Sequence, residues 1–208
     1  MPVVYMDHPL IKHKITMLRM DSTKTYEFRK IVEEIAMLMG YEALADLPTV
    51  DLPIKSPFED TVQPVIGGKM LAVVPVLRAG LGMVNGILAL VPGAKVGHIG
   101  LQRDPETHEP HENYCKLPDR IENRTVVIVD PMLATGGSAV DAIDLVKKQG
   151  GKKIKFLSIL AAPEGVEAVM KAHPDIRLYI GCLDRELDEH AYIRPGLGDA
   201  GDRIFGTK

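Results

Sequence analysis

The chain has 208 residues, 46% of them hydrophobic and 25% charged, with a formal net charge of −3. That length holds one sizeable core, or a core with a small appendage, and the acidic balance speaks against a general nucleic-acid surface. Cys115 and Cys182 are too few for a disulfide scaffold, and with no basic n-region at the start and no apolar run near about 18 residues the chain reads as soluble and cytoplasmic, without membrane contact.

Residues 1–46 read as helical. Two segments, His8–Met20 and Thr23–Leu44, carry apolar residues at three- and four-residue spacing, with Ile31, Ile35, Leu38 and Met39 on one stripe. Pro48, Pro53, Pro57 and Pro64 then punctuate an irregular or edge-strand region. From residue 70 the texture changes. Five β-branched or apolar runs appear: Met70–Leu77, Lys95–Leu101, Thr125–Val129, Ile154–Ala161 and Arg177–Leu183. Helical patterns lie between most of them, at Leu81–Val91, Ser138–Lys148 and Glu164–Ala172. Such alternation predicts a mainly parallel five-stranded sheet with helices on both faces, and strands apolar on both sides fit burial on both faces. Cys182, inside the last run, reads as a small core residue. Ligands in such folds gather at the C-terminal ends of the strands, which places Arg78, Arg103 and Asp130 together. Two segments escape the alternation. Asp104–Arg124 is long and polar, which predicts a lid, a hairpin or a disordered loop. The tail from Asp184 to Lys208 carries four glycines and reads as a cover folded back over the sheet edge.

The most informative run is Thr125–Ser138. A β-branched strand ends in one carboxylate, Asp130, followed by the small-residue loop Ala134-Thr135-Gly136-Gly137-Ser138 and a helix whose Ala139, Ala142, Ile143 and Val146 share a face. Strand, glycine-rich turn and helix N-terminus form an anion site, because unpaired N–H groups and the helix dipole point at the bound charge. Thr135 and Ser138 add hydroxyl donors. A carboxylate just before the loop suits a vicinal diol. Phosphate at one end and diol at the other describe a ribose 5-phosphate. An ordinary βα turn with capping Thr and Ser is the plain alternative.

A second junction, Val76-Leu77-Arg78-Ala79-Gly80-Leu81-Gly82, sets a guanidinium beside small residues, which suits bidentate clamping of an anion. Gly80, Gly82 and Gly86 also give GxGxxxG, a loosened dinucleotide fingerprint with its third glycine one residue late, and close helix packing would need small residues with no ligand at all. Arg103 closes the next strand, where Asp104 or Glu106 offers it a surface ion pair. His108, His111 and Cys115 match no common zinc spacing. Asp184, Glu186, Asp188 and Glu189 read as a solvated acidic face.

The Asp130–Ser138 stretch resembles the phosphoribosyl-diphosphate (PRPP) signature of the type I phosphoribosyltransferases. Pro131 stands where that family usually has a second acid, and Asp-Pro-Met-Leu-Ala-Thr-Gly-Gly-Ser is similar to the uracil branch. Tyr192-Ile193-Arg194-Pro195-Gly196-Leu197-Gly198-Asp199-Ala200-Gly201-Asp202-Arg203 looks like that branch's base-recognition segment, and the resemblance spans nearly the whole chain. It implies a single phosphoribosyltransferase domain, with an N-terminal helical and irregular region (1–69), a core sheet (70–183) and a hood built from the C-terminal tail (184–208) and the N-terminal region. It implies transfer of the phosphoribosyl group of PRPP to uracil, giving UMP and diphosphate in pyrimidine salvage.

In this resemblance PRPP is held by Arg78, Arg103, Asp130, Pro131, Met132, Leu133, Ala134, Thr135, Gly136, Gly137, Ser138 and Asp199. Uracil is held by Tyr192, Ile193, Gly198, Asp199 and Ala200, largely through main chain. Arg78, Arg103, Asp130 and Asp199 carry the catalytic roles. Mg²⁺ arrives on the diphosphate of PRPP, with no dedicated metal cage. At least a dimer is implied, and activation by GTP is left open. Two departures touch the base segment. Asp188 replaces the usual asparagine, and Ala191 replaces a glycine; alanine tolerates φ > 0 poorly, so if that glycine uses such a conformation the loop is expected to differ there. A PRPP-sensing regulator that binds RNA, a transferase for orotate or a purine, and a nicotinamide-dependent dehydrogenase are the rival readings.

Overall fold

The computed structural model describes residues 2–67, 70–103 and 110–207, without the side chains of residues 102–103 and 110–113. The chain opens with strand β1 (Val3–Tyr5) and helices α1 (Pro9–Arg19) and α2 (Thr25–Ala43). Pro9 occupies the first helical position, where a missing N–H costs nothing, and the Leu10 N–H donates to His8 Nδ1 at 3.2 Å. The buried stripe of α2 is Phe28, Val32, Ile35, Ala36, Met39 and Ala43. Ile31 and Leu38, expected on that stripe, are only half-buried, because the packed face is centred on Val32, Ala36 and Met39.

The proline-rich region forms an exposed antiparallel hairpin, β2 (Thr49–Lys55) and β3 (Asp60–Ile66), separate from the main sheet. Then follow β4 (Leu71–Leu77), α3 (Leu81–Leu90), β5 (Lys95–Val96), β6 (His98–Arg103), β7 (Pro110–Lys116), β8 (Thr125–Val129), β9 (Met132–Leu133), α4 (Gly137–Lys148), β10 (Lys153–Ala161), α5 (Pro163–Ala172) and β11 (Arg177–Leu183). The tail adds a two-stranded ribbon, β12 (Glu186–Leu187) with β13 (Ile193–Arg194), and the short helix α6 (Ala200–Phe205).

The five expected strands all fall in one sheet of order β1-β11-β10-β8-β4-β6-β7, with β5 beside β4 and β9 beside β10. Every pairing is parallel except β6 with β7. Alternation along the strands sorts the core into two layers. Leu71, Val73, Val127, Val129, Leu157 and Ile159 meet α1, α2, α3 and the tail. Val74, Val76, Val126, Ile128, Phe156 and Leu178 meet α4 and α5. Part of the Asp104–Arg124 segment is thus a hairpin arm, β7 returning against β6. Residues 104–109, His108 among them, lie outside the described residues, as does the side chain of His111. The Cys115 thiol accepts from Gln149 Nε2 at 3.2 Å. Among the described residues no helix is long and apolar enough to cross a membrane.

Three expectations need correction. The tail does not cover a sheet edge: it pairs with itself and packs on α2, burying Leu197, Ala200 and Ile204 in the helical layer. Cys182 is half-buried rather than enclosed, with its sulfur 3.5 Å from Arg19 Nη2. Asp184 is no part of a solvated face. It is buried and receives two bonds from Arg19, at 2.8 and 2.5 Å. Burial alone would raise its pKa, but the Arg19 guanidinium and the Gly196 N–H outweigh that and hold the carboxyl below its ordinary value.

Arg203 is the second fixture of the tail. Its guanidinium donates to the carbonyls of Leu18 (2.5 Å), Leu197 (2.8 Å) and Met20 (2.6 Å) and lies 4.4 Å above the Phe28 ring centroid. One planar cation thereby satisfies the carbonyls at the end of α1 and ties α6 to them. Arg203→Ala is expected to lower stability by about 2–4 kcal/mol, read as a shift in the urea midpoint at unchanged m-value.

Candidate active site

Three chain segments meet at the C-terminal ends of β4 and β8, where parallel-sheet ligand sites lie. The first is the β4–α3 turn, Arg78-Ala79-Gly80, entered through a cis Leu77–Arg78 peptide. Gly80 packs against the Val129 carbonyl and the backbone of Val76, so any Cβ there would press into main chain. That contact joins the first segment to the second, the loop Asp130–Gly136 between β8 and α4. The third is the tail, residues 191–201.

A cavity of about 270 Å³ lies between them, lined by Ala79, Asp130, Met132, Ala134, Ala191, Tyr192, Ile193, Gly198, Asp199, Ala200 and Gly201. Its volume falls just below the usual range for ligand pockets, about 300–1,000 Å³, and suits a small planar group. All five residues expected to hold the base line it, together with Asp130 and Asp199 from the expected sugar side. A larger cavity of about 650 Å³ opens at the opposite end of the sheet, beside Lys95, His98, Lys116, Arg120 and Arg124. It lacks both the glycine loop and the strand-end carboxylate.

The loop after β8 divides its labour. Pro131 is buried, and its carbonyl accepts from Leu160 N–H at 3.0 Å. Met132 and Leu133 pair with β10, and the Leu133 side chain is core. These three bind the loop to the sheet, leaving only Met132 at the cavity wall. Thr135, Gly136, Gly137 and Ser138 stand outside the cavity, at the N-terminal turn of α4. Gly136 has φ +88° and abuts Gly165 and Ala168 of α5, so a side chain there meets both strain and collision. The first-turn N–H groups have no partner within the helix, which leaves them for an anion.

Asp130 is the electrostatic centre. Burial raises its pKa from the ordinary carboxylate value to about 7, and the Met132 N–H, 3.3 Å from Oδ1, offsets this only in part. Asp199 caps α6, its Oδ1 accepting from the Asp202 N–H at 2.9 Å. Arg78 is exposed and leans on the tail, 3.4 Å from Asp202 Oδ1 and 5.8 Å from the Phe205 centroid. A pair so long and so exposed holds weakly, and the guanidinium stays free to turn toward a ligand. Arg103 ends β6, and its side chain lies outside the described residues.

Gly82 and Gly86 serve helix packing. A Cβ on Gly86 would strike the α2 backbone at Glu33 and Met37, and one on Gly82 would meet Val32 and Ile204. The dinucleotide reading of these glycines therefore loses its support.

The sequence model of the uracil phosphoribosyltransferase family matches residues 4–207. The chain belongs to the uracil phosphoribosyltransferase family. Curated proteins named uracil phosphoribosyltransferase are 60% identical in Geobacillus sp. (strain WCH70), over 99% of each chain, and 58% identical in Streptococcus pneumoniae, over 97% of each. The structure of AQ2163 protein from Aquifex aeolicus superposes with a TM-score of 0.92 at 37% identity, covering 98% of this chain and 97% of that one. A hypoxanthine-guanine phosphoribosyltransferase from Bacillus anthracis, at TM-score 0.52 and 13% identity over 77% of this chain and 80% of its own, shares the fold.

Within the base segment, Asp188 organises the ribbon. Its Oδ1 accepts from Tyr192 N–H (2.9 Å) and His190 N–H (3.0 Å), and its Oδ2 from Arg194 Nε (2.7 Å). The Tyr192 N–H foremost, and Arg194 besides, hold this carboxyl below its ordinary range. Ala191 sits at φ +62°. The turn thus keeps a left-handed residue despite the alanine, where a changed loop was expected. Side-chain strain in that conformation is about 1–2 kcal/mol, partly offset by the greater chain entropy of glycine. Ala191→Gly is expected to stabilise the protein by roughly 1 kcal/mol in chemical denaturation.

Asp130 gives a second expectation. Its folded pKa lies above its unfolded value, so the folded state holds the extra proton and stability falls as pH rises from about 4 through 7. Asp130→Asn removes this loss. The variant's melting temperature should exceed that of the wild type at pH 8, with the gap closing by pH 5; an equal gap at both values would mean the carboxylate is already well solvated.

Proposed function

We propose that this protein transfers the 5-phosphoribosyl group of PRPP to uracil, giving UMP and diphosphate in pyrimidine salvage. The observation that carries this reading is the shared cavity, where the strand-end carboxylate Asp130 faces the base segment 191–201 across a space fit for one small ring.

The chemistry is displacement at the anomeric carbon, with oxocarbenium-like character as at other glycosidic centres. Uracil N1 is the nucleophile: its bond to C1′ forms as the C1′–O bond to diphosphate breaks, and the N1 proton leaves to the departing diphosphate or to water, so the protein positions the reactants and stabilises charge. The end of the loop and the first residues of α4, Ala134–Ser138, take the 5-phosphate, with Thr135 and Ser138 adding hydroxyl donors. Asp130 accepts from the ribose hydroxyls. A nearby cation or these hydroxyl donors lower its pKa on binding, so PRPP draws the carboxylate into its charged form. Arg78 swings from Asp202 to the leaving diphosphate, and Arg103 approaches from the end of β6. Ile193, Gly198 and Ala200 read the base edge through main chain, with Tyr192 at the cavity rim and Asp199 between base and sugar.

Among the described residues no group of three or more His, Cys, Asp or Glu side chains is placed to hold a metal. In this reading the ion is carried by the diphosphate oxygens of PRPP and by water. Such a Mg²⁺, when bound, neutralises charge on the leaving group. A homo-oligomer is the favoured assembly, since the β2–β3 hairpin exposes Val50, Leu52, Ile54, Phe58, Val62 and Ile66. An activating nucleotide such as GTP would find complementary charge in the basic cavity beside Lys95, Lys116 and Arg120. A substrate as charged as PRPP stays in the compartment that makes it, which places the activity in the cytoplasm.

The test is UMP formation from PRPP, Mg²⁺ and labelled uracil, with cytosine, orotate, adenine and hypoxanthine in parallel. Product from uracil alone is expected; product from another base would move the assignment to that base, and PRPP binding without product would favour a regulator. In Asp130→Asn each lost charge-assisted bond should cost about 1.5–3 kcal/mol of transition-state stabilisation, read as kcat/KM for PRPP. Unchanged kcat/KM would remove Asp130 from the ribose site.

A further inference from the structure

We propose that the Arg19–Asp184 ion pair is the positioning clamp of the base pocket, acting through both backbone groups of Gly196; this rests on the reading of residues 191–201 as the base-binding segment. The two side chains come from opposite ends of the chain and converge on one residue, bonding the peptide groups on either side of its Cα. Asp184 Oδ2 accepts from the Gly196 N–H at 2.9 Å. Arg19 Nη1 donates to the Gly196 carbonyl at 2.8 Å and to Asp184 Oδ2 at 2.8 Å, while Nη2 donates to Asp184 Oδ1 at 2.5 Å. Every polar group of the Gly196 backbone is thereby fixed by charge-assisted bonds, which are shorter and stronger than neutral ones.

The clamp is itself rigidly mounted. Asp184 follows β11, and its own N–H donates to the Ala161 carbonyl at the end of β10, at 2.8 Å. Arg19 ends α1, whose Ile11, Ile15 and Leu18 are core. The carboxylate is 3% exposed and the guanidinium 23%, so water competes little for either. Gly196 itself, at φ +66°, packs so closely on the Ile193 carbonyl that no side chain fits. Ile193 lies three residues before it and Gly198 two after, and both line the cavity.

A pocket that reads a ligand with backbone groups cannot adjust by side-chain rotation, so its geometry is only as good as the fixture of its main chain. The loops bearing Arg78 and Asp130 are carried by β4 and β8 themselves, not by this pair. Loosening the clamp should therefore displace the base-reading edge and leave the phosphoribosyl side in place. Purely architectural residues would lower stability and affect both substrates alike.

The experiment compares wild type, Arg19→Lys and Asp184→Asn by steady-state kinetics with each substrate varied in turn, alongside thermal melting. Lysine keeps the charge but cannot fork between carboxylate and carbonyl; asparagine keeps the shape and an acceptor but loses the charge. Each variant is expected to raise KM for uracil roughly 10- to 100-fold, the scale of a small misplacement, with KM for PRPP moving far less, since Asp199 is the one expected PRPP contact on the displaced segment. KM values rising together, or a lower melting temperature with wild-type KM for uracil, would overturn the clamp. If Asp184→Asn does not fold, Arg19→Lys alone decides by the same split. Wild-type protein that makes no UMP would overturn the base reading itself, a result distinct from an active wild type with unmoved variants.

Discussion

The site depends on one electrostatic constraint, a carboxylate held where water is scarce. β8 is buried along its whole length because strands on both sides and helices on both faces cover it. Asp130 is the next residue, at the point where this apolar strand reaches the mouth of the sheet. Among the described residues the Met132 N–H is its hydrogen-bond partner there, so its charged form is costly in the free protein. That cost is useful for a ligand that brings hydroxyl donors and a neighbouring cation. The binding partner supplies what the protein withholds, and the interaction is strongest when water is gone. The same buried strand fixes Asp130 in space, since neither neighbour of β8 can shift without opening the core.

The tail solves a different problem. Residues 184–207 have too little apolar surface to fold alone, and their ribbon and one short helix need anchors. Two arginines provide them, and each binds main-chain carbonyls. Arg203 gathers carbonyls from α1, the turn after it and the tail. Arg19 pairs with Asp184 and holds Gly196. A guanidinium suits this work because it is planar, always charged and rich in donors. The N-terminal helices and the C-terminal tail thus form one body above the strand ends, although they lie at opposite ends of the sequence.

How far the sequence discloses this structure follows from the range of the forces involved. The five core strands and the three helices between them were readable because burial on both faces or on one face leaves a local apolar pattern. Ala139, Ala142, Ile143 and Val146 predict the buried face of α4, and all four are buried. β1 was missed because three residues at a sheet edge carry no period. β7 is legible only as one of three alternatives, lid, hairpin or loop, because a polar edge strand carries no apolar pattern. The face of α2 was read slightly off, since several apolar stripes fit its sequence and only tertiary packing selects one. Asp184 looked like part of an acidic surface because its partner lies 165 residues away, and no local signal marks a long-range ion pair. For the candidate site, the loops were legible through their glycines and strand-end charges, and the arginines that position the tail were not.

Ala191 shows why local rules failed there and what replaced them. By itself, an alanine argues against a left-handed turn. Yet Asp188 collects three bonds across that turn, from Tyr192, His190 and Arg194, and β12 and β13 close around it. Each charge-assisted bond offsets roughly as much as the strained residue costs. Asparagine at position 188 would offer a single acceptor oxygen, where aspartate offers two and adds the attraction of Arg194. The aspartate and the alanine are therefore best understood together: the extra charge at one end of the turn supports the less permissive residue at the other, and the backbone edge facing the cavity is kept.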